Sequence, residues 1–63
     1  REAVVLVAST PAQKEPSGSA AVAFEAHAGL SGRIVDEEGR FVRVRLENGL
    51  EVWLARDAVG VIP

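Results

Sequence analysis

The sequence predicts a small all-β fold, a barrel or sandwich of five to six short antiparallel strands. Its 63 residues are 48% hydrophobic, and the hydrophobic residues fall into short runs bounded by turn-forming residues, with no long helical periodicity. Asn48-Gly49 stands between two of these runs and is the strongest hairpin signal in the chain. A chain of this length builds one marginal core. We therefore expect one domain over residues 3–63, after a linker remnant at residues 1–2, belonging to a longer protein.

The first half of the chain contains two predicted strands separated by a loop. Residues 3–8 are a Val-rich apolar run of strand length. Residues 9–19 contain two of the three prolines and a Pro-Ser-Gly turn signal, which predicts a loop. Residues 20–28 are rich in alanine, which favours a helix, but apolar and polar positions alternate between Val22 and His27. We interpret this segment as a strand.

The second half has a clearer pattern of strands and turns. A turn is predicted at residues 37–40 and one short 3-10 turn at Arg56–Ala58. The predicted strands are residues 32–36, 41–46, 50–54 and 59–62.

The register of the hairpin at residues 47–49 follows from the hydrophobic pattern. A two-residue loop at Asn48-Gly49 would place Leu46 opposite Glu51 and mix polar with apolar residues on both faces. A three-residue loop, with Gly49 in the left-handed conformation, instead pairs Leu46 with Leu50 and makes one face wholly apolar. Because a one-residue slip inverts the faces, burial selects the three-residue loop. The inner pairs are then Val44 with Val52 and Val42 with Leu54.

The opposite face of this hairpin carries the candidate binding residues Trp53, Arg43 and Arg45. Arg45 lies across from Glu51 as an ion pair, and Arg43 lies across from Trp53 in a cation–π contact worth about 0.5–1 kcal/mol. Trp53 has two interpretations: a partly buried ring that shields the end of the barrel, or an exposed binding anchor. We favour the first because the core of so short a chain is small.

The inventory of reactive side chains argues against catalysis. The chain has no Cys and a single histidine, His27, so neither a usual metal site nor a Cys-His pair can be assembled. No serine lies in a nucleophile turn and no Gly-rich phosphate loop is present. We therefore expect no catalytic residue, cofactor or metal. We expect His27 to lie near a turn, exposed or hydrogen-bonded to the backbone, with pH sensing as a less favoured role.

The charge pattern argues against nucleic acid, and the apolar runs are too short for a membrane span. Arginines cluster between residues 33 and 45, but acidic side chains alternate with them and the pI is near 5.2. The opposing charges largely cancel, so we expect no nucleic-acid partner. The four arginines are Arg33, Arg40, Arg43 and Arg45, and the acidic residues are Asp36, Glu37, Glu38, Glu47 and Glu51.

Three sequence features carry a resemblance to a known family. They are Pro16-Ser17 in the first loop, Phe24 followed by His27-Ala28-Gly29, and the end pattern VRVRLENGLEVWLARDAV at residues 42–59. In this order, from about residue 3 to residue 62, they resemble the bacterial SH3 (SH3b) domain. The Phe-x-x-His-x-Gly spacing is also similar to SH3-like domains that end BatE-type proteins of bacterial aerotolerance operons, where tetratricopeptide repeats and a membrane helix lie upstream.

The chain departs from the family pattern at several positions. Val52 stands where the family usually has Gly, and Gly32 stands where it has a branched aliphatic residue. We expect Gly32 to weaken its strand and leave core volume unfilled, with Leu30 moving in to compensate. The arginine common in the family's first loop is absent, with Gln13-Lys14 in its place, which puts any ligand role of that arginine in doubt.

An aromatic groove for polyproline is also missing. The first strand has no tyrosine, and Ala55 and Ala58 stand where a groove proline and tyrosine are expected, so only Trp53 remains and no polyproline partner is expected. The resemblance implies a non-catalytic protein-interaction or spacer module of a larger envelope-associated protein, on the periplasmic or extracytoplasmic face of a bacterial membrane. The alternative is a peptidoglycan-targeting module, and a nucleic-acid-binding module ranks third. The absence of Cys fits the periplasm and the cytoplasm equally.

Overall fold

The computed structural model describes all 63 residues and is all-β, with seven antiparallel strands in one sheet and one 3-10 turn. The strands lie in the order β3-β2-β6-β5-β4-β1-β7, and the 3-10 turn at Arg56–Ala58 joins β6 to β7. The strands are β1 Glu2–Val5, β2 Ser9–Gln13, β3 Val22–His27, β4 Ser31–Glu38, β5 Phe41–Arg45, β6 Glu51–Ala55 and β7 Val59–Ile62.

The predicted loop at residues 9–19 is wrong in its first half, where β2 pairs with β3. Thr10 and Ala12 are buried while Ser9 and Pro11 are exposed, so the segment has the alternation of a strand. Pro11 is tolerated because β6 pairs with β2 only at Gln13, which leaves no second strand paired in register at Pro11. The chain therefore forms seven strands rather than five or six.

The amino terminus belongs to the sheet rather than to a linker. Glu2 begins β1, and the carbonyl oxygen of Arg1 accepts a hydrogen bond of 2.9 Å from the amide of Ile34. At its other end β1 stops at Val5, and Leu6 is 67% exposed. The predicted strand at residues 3–8 is therefore shorter and begins one residue earlier.

The strand interpretation of residues 20–28 is confirmed by β3. Ala26 is buried and Phe24 packs against the core, while Glu25 and His27 are exposed. β4 begins one residue before its expected start and ends two residues after its expected end, so the turn before β5 is only Gly39-Arg40. A register shift between Ile34 and Asp36 accompanies the longer strand.

The β5–β6 hairpin has the predicted three-residue loop and register. The amide of Leu46 donates to the carbonyl of Leu50 at 2.8 Å, and Gly49 has a φ of 90°, which favours glycine. On the inner face Val44 pairs with Val52, and Val42 pairs with Leu54. All four of these side chains are at most 2% exposed, although Leu50 at the hairpin end is 46% exposed. The 3-10 turn and the last strand also lie where the sequence predicts them.

Gly32 marks a close approach between strands rather than an unfilled core. A Cβ atom at this position would lie 2.5 Å from the carbonyl oxygen of Arg45 and 2.7 Å from Cγ1 of Val44. The expected missing volume is therefore occupied by the neighbouring strand, and Leu30 packs at the edge of the core without filling a gap. Only a residue without a Cβ allows β4 to lie this close to β5.

Candidate functional site

The outer face of the β5–β6 hairpin brings the predicted site residues together around one carboxylate. Oε2 of Glu51 lies 2.7 Å from Nη2 of Arg45 and accepts a hydrogen bond of 2.8 Å from Nε of the same arginine. Oε1 of Glu51 lies 3.1 Å from Nε of Arg43. Arg43 and Arg45 point to the same side of β5 because side chains alternate along a strand. Glu51 therefore fixes two guanidinium groups side by side.

Trp53 lies beneath this cluster and is only 7% exposed. Cζ of Arg43 lies 5.6 Å from the centroid of the ring, within the range of a cation–π contact. On its other side Trp53 pairs with Gln13, whose Nε2 lies 3.2 Å from the carbonyl oxygen of Gly18 and 3.4 Å from that of Ala20. This burial supports the interpretation of Trp53 as a packing residue, which leaves the arginines as the accessible part of the site.

The arginine cluster extends to β4, where Arg33 pairs in register with Arg45 and Asp36 with Arg43. Arg33 has no ion-pair partner within 4 Å. A shallow depression of about 410 Å³ lies between Arg33 and Arg45, and Glu2 and Glu47 also line it. The surface thus alternates positive and negative groups, which suits a partner with matching charges better than a uniformly charged polyanion.

The guanidinium groups keep unused hydrogen-bond donors. Each carries five N–H bonds, and the carboxylate of Glu51 engages Nε of Arg43 and Nε and Nη2 of Arg45. About half of each arginine side chain is exposed, compared with 26% for Glu51. The remaining N–H groups are available to carboxylate or carbonyl oxygens of a ligand.

A second ionic cluster, which the sequence did not reveal, joins Arg1 and the 3-10 turn to β4. Glu37 forms ion pairs with Arg1 and with Nη1 of Arg56, the latter at 2.8 Å. Nη2 of Arg56 also donates to the carbonyl of Gly39 at 3.1 Å. The hydrogen bond from Arg56 and the positive charge of Arg1 lower the pKa of the Glu37 carboxyl. Because these ion pairs join Arg1 and the 3-10 turn to β4, we assign this cluster to the fold.

His27, the single histidine of the chain, lies at the surface at the end of β3. Nδ1 of His27 lies 3.3 Å from the carbonyl oxygen of Ala8, next to a turn and exposed, as its position in the sequence predicts. No group of three or more acidic or histidine side chains could hold a metal ion. The structure also contains no helix with the length and apolarity needed to cross a bilayer.

Comparison of the chain with models of protein families, with curated proteins and with solved structures finds no match. The small antiparallel fold is consistent with an SH3-like arrangement of strands. The outer face of β4, β5 and β6 is the surface where the predicted binding residues meet.

Proposed function

We propose that this domain is a non-catalytic protein-interaction module that binds its partner through the outer face of β4, β5 and β6. The observation that carries the proposal is the bridging of Arg43 and Arg45 by Glu51. Glu51 already holds both guanidinium groups in place, so binding of a partner restricts these side chains little further. This lowers the entropic cost of association. Arginine is also among the residues that dominate binding energy at interfaces.

The charge pattern of the face supports a protein partner with defined polar groups. Arg33 is unpaired, whereas Arg43 and Arg45 share one carboxylate. A partner carboxylate that approaches the N–H groups of Arg45 would form a charge-assisted hydrogen bond. Acidic residues around the cluster would repel a partner whose negative charges lie in other positions, so the alternating charges favour specificity over affinity.

Peptidoglycan is the second candidate ligand, and the same arginines would bind it. Its peptide stems present carboxylate groups, which have the chemistry that the guanidinium groups accept. On this proposal, and in agreement with the resemblance to SH3b domains, the parent protein is envelope-associated and the domain lies outside the cytoplasm.

Quantitative capture tests the proposal. The wild-type domain, the double variant Arg43→Gln/Arg45→Gln and the control Arg40→Gln are immobilised and exposed to extract of the source cells. We expect a partner that the wild type and Arg40→Gln retain equally and that the double variant binds roughly tenfold to hundredfold more weakly. Sedimentation of the same variants with purified sacculi identifies peptidoglycan if it shows this dependence. Equal retention by all three proteins, or no retained ligand at all, would contradict the proposal.

A further inference from the structure

β7 forms one free edge of the sheet, and the hydrogen bonds show which of its backbone groups are unpaired. The amide of Val5 donates to Leu30 and its carbonyl accepts from Gly29, so both groups point away from β7. The amide of Leu6 instead donates to the carbonyl of Ala58 at 2.9 Å. Because bonded and non-bonded pairs alternate in an antiparallel ladder, the next bonded positions on β7 are residues 60 and 62. Val59 and Val61 therefore direct their backbone groups to the free edge.

The free edge is short and clearly bounded. The amide of Val59 is already bonded to the carbonyl of Arg56 in the 3-10 turn. This leaves the carbonyl of Val59 and both backbone groups of Val61 without a strand partner. Pro63 is the next residue after Val61 whose backbone faces the free edge. It has no N–H, so it cannot donate to an added strand. The edge therefore offers space for one short added strand.

The side chains at this edge lack the charges that usually protect an edge strand. β7 consists of Val, Gly and Ile, with Val61 45% and Ile62 50% exposed. Leu6 lies against Gly60 and is the most exposed of the large hydrophobic side chains. The other free edge, β3, carries Glu25 and His27 on its exposed side. Natural proteins guard edges with charges, so the two edges differ in the way expected if only β7 accepts a partner.

We propose that β7 binds an extended segment of a partner protein as an eighth strand of the sheet. A second copy of this chain is a poorer occupant, because the partly exposed side chains of Leu6, Val61 and Ile62 offer on the order of 200 Å² of apolar surface. A stable dimer buries about 800 Å² on each partner. One added strand needs less area, because main-chain hydrogen bonds supply part of its affinity.

The geometry defines the chemistry of the segment. Its backbone donates to the carbonyls of Val59 and Val61 and accepts from the amide of Val61. Since successive side chains of a strand point to opposite faces, the residues on one face contact Leu6 and Ile62, and we expect them to be apolar. A proline at the position that donates to Val61 would prevent binding. This site lies apart from Arg43 and Arg45, so it goes beyond the function proposed above.

Selection of short random peptides displayed on phage, with the whole 63-residue protein as target, tests this inference. We expect the selected peptides to carry apolar residues at every second position and to slow hydrogen exchange at the amide of Val61. Val61→Pro removes this amide without removing a bond to β1, and it should weaken binding roughly threefold to tenfold. Val61→Lys places a charge on the edge and should also weaken binding.

Two controls separate this site from other surfaces. Val22→Lys places the same charge on β3 at a residue that is 49% exposed, and it should leave peptide binding unchanged. Arg43→Gln/Arg45→Gln should also leave it unchanged, so failure of one proposal is distinguishable from failure of the other. Thermal melts identify any variant that does not fold. If Val61→Pro does not fold, the peptide affinity of Val61→Lys tests the inference instead. Selected peptides that bind Val61→Lys as tightly as wild type, a protein that dimerises through β7, or a selection that yields no peptide would overturn the inference.

Discussion

Substitution of Gly32 by Ala tests how closely β4 and β5 approach each other. The added Cβ would lie 2.5 Å from the carbonyl oxygen of Arg45 and 2.7 Å from Cγ1 of Val44. The first neighbour is backbone and the second belongs to a fully buried side chain, so neither can move away freely. Overpacking of this kind costs about 1–3 kcal/mol. For a domain of this size that loss lowers the melting temperature by roughly 5–20 °C.

The measurement is thermal and urea unfolding followed by circular dichroism, with Gly18→Ala as the matched control. A Cβ at Gly18 would have no neighbour within 4 Å. This control should therefore be neutral or stabilising by up to about 1 kcal/mol, because alanine restricts the unfolded chain. The same entropic gain applies at position 32, so a Gly32→Ala protein as stable as the control would refute the close approach.

Three further predictions concern the core, the ionic cluster and nucleic acid. Trp53→Ala should lower the melting temperature about as much as Leu54→Ala, because Trp53 is 7% and Leu54 2% exposed. An unchanged melting temperature would instead support the interpretation of Trp53 as a binding anchor. The pKa of Glu37 is lowered from its ordinary value of 4.5, so its contribution to stability is present above 4.5 and is lost as the pH falls through the lowered pKa. Glu37→Gln should flatten the pH dependence of urea unfolding in that window, and parallel curves for wild type and Glu37→Gln would contradict the assignment. Duplex DNA should bind only weakly at physiological salt because acidic groups surround the arginines, and a gel shift with sub-micromolar affinity would overturn this.

The elements with strict alternation could be predicted from sequence alone. Residues 41–54 carry period-two patterning around Asn48-Gly49, and the apolar face selects one register, so local turn chemistry and burial agree. The positions of Arg43, Arg45, Glu51 and Trp53 on one face followed from this register. The outer face was predictable because strand geometry fixes which side chains share a side.

Other features depend on contacts between distant parts of the chain. β2 was missed because its proline and polar residues are typical of loops, and only pairing with β3 makes the segment a strand. The role of Gly32 depends on how far Arg45 and Val44 lie from it, which no local pattern records. The ion pairs of Glu37 join residues 36 and 19 positions apart in the chain, so no spacing rule could indicate them.

The position of β7 at the edge of the sheet is another feature that the sequence alone does not predict. The composition of residues 59–62 predicts a strand but not its place in the sheet, which follows only from the strand order. Once β7 lies at the edge, its lack of charge becomes informative, because the same four residues in a central strand would need no protection.

The β5–β6 hairpin separates an inner face, which packs in the core, from an outer face that carries Arg43 and Arg45 above Trp53, and one pair of neighbouring residues tests this separation most directly. Urea unfolding of Val44→Ala and Arg45→Ala compares a side chain that is 1% exposed with one that is about half exposed. We predict a loss of about 1–3 kcal/mol for Val44→Ala, through lost burial and a residual cavity. Arg45→Ala removes only a surface ion pair and should cost about 0–1 kcal/mol. Equal losses for the two variants would contradict the assignment of the faces, and with it the binding surface at Arg43 and Arg45.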